Sequence, residues 1–146
     1  MDDPYDLQRF VSAQASMMPQ VLAELKAGEK LSHWIWFIFP QLKGLGQSSM
    51  SEFYGIGSLD EARAYWQHPV LGARIEQCTR LVNLVEKRPI ERILGYPDDL
   101  KFRSSMTLFA RAVPENAVFN EALKKYFNGE PDHRTLELLG PPHSME

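Results

Sequence analysis

The sequence predicts an all-α fold, a compact multihelical single domain of roughly six to seven helices, and three observations carry that expectation. Apolar residues recur at three- and four-residue steps through most of the 146-residue chain. Proline, glycine and capping residues stand where those stripes stop. Outside one short aromatic run, no stretch alternates as a half-buried strand would.

From Tyr5 to Ala27 the positions Leu7, Phe10, Val11, Met17, Met18, Val21, Leu22 and Leu25 lie on one or two amphipathic helices that Pro19 divides and Gly28 ends. Between Gly44 and Gly57 glycine and serine dominate, which marks the leading loop. Gly44-Leu45-Gly46 lacks a third glycine at the right offset and a βαβ setting, so a dinucleotide loop is not expected. Helix resumes at Ser58-Leu59-Asp60-Glu61, a capping box, and stops at His68-Pro69. Leu71, Ile75, Cys78, Val82 and Val85 form the next stripe. Asp98 and Asp99 suit a helix amino end, and the helix they open carries Phe102, Met106, Phe109 and Val113 before Pro114 stops it. Two shorter helices follow, Phe119 to Phe127 and one from near Asp132 to Gly140. Residues 1–139 are expected to be the domain and 140–146 a loose tail.

With 44% hydrophobic and 24% charged residues the chain has the composition of an ordinary globular protein, long enough to bury a sizeable core. A formal charge of −3 with scattered basic residues argues against nucleic-acid and anionic-membrane partners. The acidic amino terminus has neither the basic nor the apolar part of a secretory signal, so the expected location is the cytoplasm. The single cysteine, Cys78, excludes an internal disulfide and reads as an inert core thiol. The four histidines show no metal-binding spacing, and neither a metal nor a cofactor is expected.

The run Ser32-His33-Trp34-Ile35-Trp36-Phe37-Ile38-Phe39-Pro40-Gln41 holds two of the three tryptophans and has no polar face as either helix or strand, so it is expected in the core. Its polar handles, His33, Gln41 and the indole N–H groups, must find partners or a ligand on burial.

These motifs resemble a bacterial family of small proteins called domain of unknown function 1810, sometimes labelled calpastatin. The resemblance rests on Asp6-Leu7-Gln8-Arg9-Phe10, on Ser32 through Gly46, on Tyr54-Gly55-Ile56 with Leu59-Asp60-Glu61-Ala62, on His68-Pro69-Val70-Leu71-Gly72 with Arg74, and on Pro97 through Phe109. It implies a multihelical domain similar to a mycobacterial member and no established activity. The calpastatin label is rejected, because the calpain inhibitor of that name is disordered whereas this composition builds a core.

Two sets of residues are candidates for chemistry. His33 and His68 are candidate acid–base groups, since histidine titrates near neutral pH, although both also read as helix-entry residues. Trp34 and Trp36 are the candidate floor of a pocket, with Gln41, Tyr54, Arg74, Lys101, Ser104 and Ser105 as ligand-binding groups and Arg103 as a possible helper for an anion. Asp98, Lys101 and Ser104 or Ser105 share a helix face, which otherwise reads as a solvated surface. The expected function is binding of an anionic, nucleotide-like small molecule, with or without catalysis. The alternative is a helical protein-interaction module without enzymatic activity, whose partner the sequence does not name.

Overall fold

The computed structural model describes residues 3–140. Ten helices lie among them: α1 (Gln8–Ala15), α2 (Met18–Ala27), α3 (Ile35–Ile38), α4 (Ser49–Phe53), α5 (Leu59–Gln67), α6 (Leu71–Leu84), α7 (Ile90–Leu94), α8 (Asp98–Ala112), α9 (Val118–Phe127) and α10 (His133–Leu139). Ten replaces the expected six to seven. The difference is α3, α4 and α7, of four or five residues each, too short for a 3.6-residue period to register. One of them interrupts the expected glycine/serine loop: α4 forms because the Ser48 hydroxyl accepts from the Ser51 N–H at 3.1 Å. The loose tail expected at 140–146 falls, apart from Gly140, outside the described residues.

Local chemistry explains the boundaries. The Asp3 carboxylate accepts from the backbone N–H groups of Leu7 and Gln8 at 2.8 and 3.0 Å and so caps α1. Pro19 sits in the first turn of α2, where its missing N–H costs nothing, and Gly28 ends that helix in the left-handed conformation at φ 76°. Ser58 caps α5 by accepting from Glu61 N–H at 3.1 Å. Glu61 reaches back one residue further than a capping box requires, to the N–H of Gly57 at 2.9 Å. Asp132 caps α10 through the N–H of Thr135. Between α5 and α6 the backbones approach so closely that a Cβ at Gly72 would lie 2.0 Å from the Trp66 carbonyl oxygen.

The centre of the molecule is α8, which packs on α3, α5, α7, α9 and α10, while α6 packs on α2, α3, α5 and α9. Phe102, Met106 and Phe109 of α8 are fully buried, as are Phe10 of α1, Tyr65 of α5 and Phe119 of α9. Phe39 meets Phe102 edge to face at 4.8 Å, and Phe10 meets Tyr65 likewise at 5.1 Å.

The aromatic run is neither a strand nor a long helix. It makes the single turn α3 and then an extended link whose Leu42 forms one isolated parallel bridge with Ile56. Trp34, Ile35, Phe37, Ile38 and Phe39 are buried, but Trp36 is half-buried and His33 is exposed, so the run does have a solvated edge.

Candidate functional site

The segment leading into α3 is organised by a carboxylate. Glu24 falls on the stripe that buries Val21 and Leu25, and its side chain gathers five donors: the N–H groups of Leu31 and Ser32, the Ser32 hydroxyl, the Trp34 indole N–H and the Gln20 amide, at 2.7–3.1 Å. Burial alone would raise its pKa, but the hydrogen bonds from Leu31, Ser32, Trp34 and Gln20 outweigh burial and bring it down to about 2. Trp34 is thereby fixed as a fully buried core residue whose N–H is committed.

The chain between Glu24 and α3 also delivers Lys30 to the start of α8. Its ammonium pairs with Asp98 at 2.7 Å, shows only 6% of its side chain to solvent, and lies 5.1 Å from the centre of the Trp34 ring. The opposite oxygen of Asp98 faces Lys101, one turn along α8, at the longer distance of 3.6 Å. Lys101 in turn stands over the ring of Trp36 at 5.4 Å. One carboxylate therefore serves two ammonium groups, and the short contact goes to Lys30.

Two polar groups, one on α3 and one on α8, are uncommitted. The indole N–H of Trp36 and the hydroxyl of Ser105 are buried without a hydrogen-bond partner among the described residues. Ser104 and Thr107 on the same helix turn back on the carbonyls of Leu100 and Arg103 at 3.1 and 2.8 Å, but Ser105, one turn beyond Lys101, does not. Lys101 and Trp36 thus meet at the junction of α3 and α8.

The remaining residues predicted for the site have other surroundings. His33 is exposed and makes no side-chain hydrogen bond among the described residues. The Nδ1 of His68 accepts from the N–H groups of Val70 and Leu71 at 3.1 and 3.3 Å, so this ring caps the entry to α6, and its Nε2 makes no hydrogen bond among the described residues. Tyr54 packs among Phe10, Phe37 and Phe53, with ring centres 4.7–5.8 Å apart. Gln41 is buried beside the Gly46 bend. Arg74 donates to Gln14 at 3.2 Å, and Gln14 bonds the Phe37 carbonyl and the Tyr65 hydroxyl.

Burial pushes the Cys78 thiol up to about 12, against the opposing pull of the Arg74 guanidinium. Cys78 is therefore expected to resist a bulky aromatic disulfide reagent in the native protein and to react once denaturant unfolds the chain. Rapid labelling without denaturant would contradict its burial. Among the described residues no group of three His, Cys, Asp or Glu side chains could hold a metal ion.

Comparison with known proteins fits this architecture. A family model described as "Protein of unknown function (DUF1810)" matches residues 4–139. The chain belongs to the DUF1810 family. Its structure is similar to the crystal structure of the conserved hypothetical protein Rv1873 from Mycobacterium tuberculosis, with a TM-score of 0.94 and 56% sequence identity over 96% of this chain and 100% of that one. No curated protein matches the chain.

In this DUF1810 chain the arginine of the Asp6–Phe10 motif is structural. All five donors of Arg9 are used: on the carbonyls of Tyr5, Asp6, Phe53 and Gly55, and on Glu61 at 2.8 Å. It walls a cavity of about 380 Å³ and has no donor left for a ligand there. Glu24 and Lys30 went unnoticed in the sequence. For Glu24 the available signal was a carboxylate on the apolar stripe of α2. Lys30 carried no signal, because its partner Asp98 is distant in sequence.

Proposed function

We propose that this DUF1810 protein binds a small, flat, anionic molecule at the junction of α3 and α8, with Lys101 supplying the counter-charge and Trp36 the stacking surface. One observation carries the reading: Asp98 is committed to Lys30 at 2.7 Å, which leaves Lys101 at 3.6 Å as a weakly paired cation held over a half-buried indole. Two ammonium groups on one carboxylate leave a positive charge that an anion would balance. An aromatic anion would gain contact area on Trp36, whose N–H has no hydrogen-bond partner among the described residues. His33 and His68 have no part in this reading. No helix among the described residues is long and apolar enough to cross a membrane.

The test is calorimetric titration with AMP and with nicotinate, an aromatic anion that lacks sugar and phosphate. Saturable binding of either is expected, weakened about tenfold in Lys101→Ala, the loss of one charge-assisted contact. Trp36→Leu should weaken it comparably while leaving the denaturant midpoint near wild type. Affinity unchanged in both variants, or no binding of either anion at millimolar concentration, would refute the reading.

A further inference from the structure

The opposite flank of α8 carries a different set of groups. Residues 99 and 103 are one turn apart on a helix whose 98 and 101 positions meet Lys30 and Trp36. Asp99 and Arg103 line a groove of about 620 Å³ between α7, α8 and α9, together with Lys87, Arg88, Tyr126 and Phe127. This concavity is of the size that small-molecule sites occupy.

Asp99 is the group in the groove that folding does not account for. It is 9% exposed, and one of its carboxyl oxygens is buried without a hydrogen-bond partner among the described residues. An uncompensated buried carboxyl oxygen costs stability, and a donor from outside the chain would relieve that cost. Burial also raises the Asp99 pKa, with Glu91 and Asp98 adding to the effect and the backbone N–H groups at the start of α8 partly offsetting it.

The cations around it differ in what they have left to give. Lys125 is held by Glu86 at 2.9 Å and by the Asn83 carbonyl, and Arg88 donates one N–H to the Gly28 carbonyl. Arg103 uses only its Nε, on the Glu130 carbonyl at 3.0 Å, and its guanidinium carbon lies over the Phe127 ring, 5.2 Å from the ring centre. Both terminal nitrogens of its fork are free of hydrogen bonds among the described residues. A guanidinium braced from behind and open at the front matches the oxygens of a phosphate.

We propose that this groove binds a phosphorylated sugar or polyol, with Arg103 holding the phosphate and Asp99 the hydroxyls. The two requirements define the class. Arg103 asks for a multi-oxygen anion, and the unpartnered Asp99 oxygen asks for a neutral hydroxyl donor a few ångströms away. Phe127 and Tyr126 add an apolar wall for the carbon face of the ligand. Inorganic phosphate satisfies only the first demand and a free sugar only the second. This site is separate from the one proposed for the aromatic anion, and neither depends on the other.

The experiment is isothermal titration of the whole chain with glucose 6-phosphate, ribose 5-phosphate and glycerol 3-phosphate, each against its dephosphorylated parent and against inorganic phosphate. At least one ester should bind tenfold or more tightly than both of its halves. Asp99→Asn should weaken that ester at least tenfold with no fall in thermal midpoint. Arg103→Lys, which keeps the charge but loses the fork, should weaken it severalfold, while Arg63→Ala, an exposed cation on α5, changes nothing. Should Arg103→Lys lower the thermal midpoint, Asp99→Asn alone decides. Equal affinity for ester and inorganic phosphate, no binding of any ester at millimolar concentration, or wild-type affinity in Asp99→Asn would overturn the proposal. Titration of AMP against Lys101→Ala is read separately, so failure at one site is distinguishable from failure at the other.

Discussion

Trp34→Ala is expected to destabilise the protein by about 4 kcal/mol, within the usual range for emptying a buried aromatic site. The side chain is fully buried and tilts against Phe39 at 6.2 Å. Removing it opens a cavity beside Phe39 and also takes one donor from the buried Glu24 carboxylate. Trp34→Phe separates the two effects. It keeps much of the ring volume but not the N–H, and should cost about 1–2 kcal/mol. Urea midpoints for the three proteins check this, and a midpoint unmoved by Trp34→Ala would place the ring outside the core.

Glu24 provides the second large effect. In Glu24→Ala the N–H groups of Leu31 and Ser32 and the Trp34 indole lose their acceptor together, at an expected cost of about 3 kcal/mol. The same carboxylate makes stability depend on pH. Its folded pKa of about 2 lies below its ordinary value of 4.5, so its contribution is complete above pH 4.5 and is lost as the pH falls toward 2. Denaturant midpoints for wild type and Glu24→Gln should therefore differ widely near neutral pH and converge between pH 4.5 and 2. A gap that stays constant across that window would mean that the carboxylate is not held by these donors.

The long helices were legible because each carries a repeating stripe. The steps through Leu71, Ile75, Cys78 and Val82, and through Phe102, Met106 and Phe109, locate α6 and α8 to within a residue or two, and all seven residues are buried. One-turn helices have no such repeat. The turn α7 between Pro89 and Gly95 left no periodic trace, and α4 is held by a serine cap inside a stretch that reads as loop.

Site residues followed the same logic. Asp98, Lys101 and Ser104 or Ser105 could be grouped in advance because helical spacing puts them on one face. Their surroundings could not be anticipated. That face reads as solvated surface until Lys30 and Trp36, far away in sequence, close over it. The two tryptophans look equivalent in the aromatic run, yet Trp34 is tied to Glu24 and buried while Trp36 keeps an exposed edge. The acceptor that distinguishes them lies on α2, and only the tertiary fold brings it there.

The proposed anion site is tested most directly at Trp36. In a proton–nitrogen correlation spectrum the three tryptophans give three indole N–H signals, which single Trp→Phe variants assign. Titration with AMP or nicotinate should move the Trp36 signal saturably, leave the Trp34 signal in place on its Glu24 acceptor, and produce no such shift in Lys101→Ala at the same concentrations. A Trp36 signal that stays fixed while either anion binds would contradict a ligand site at the α3–α8 junction.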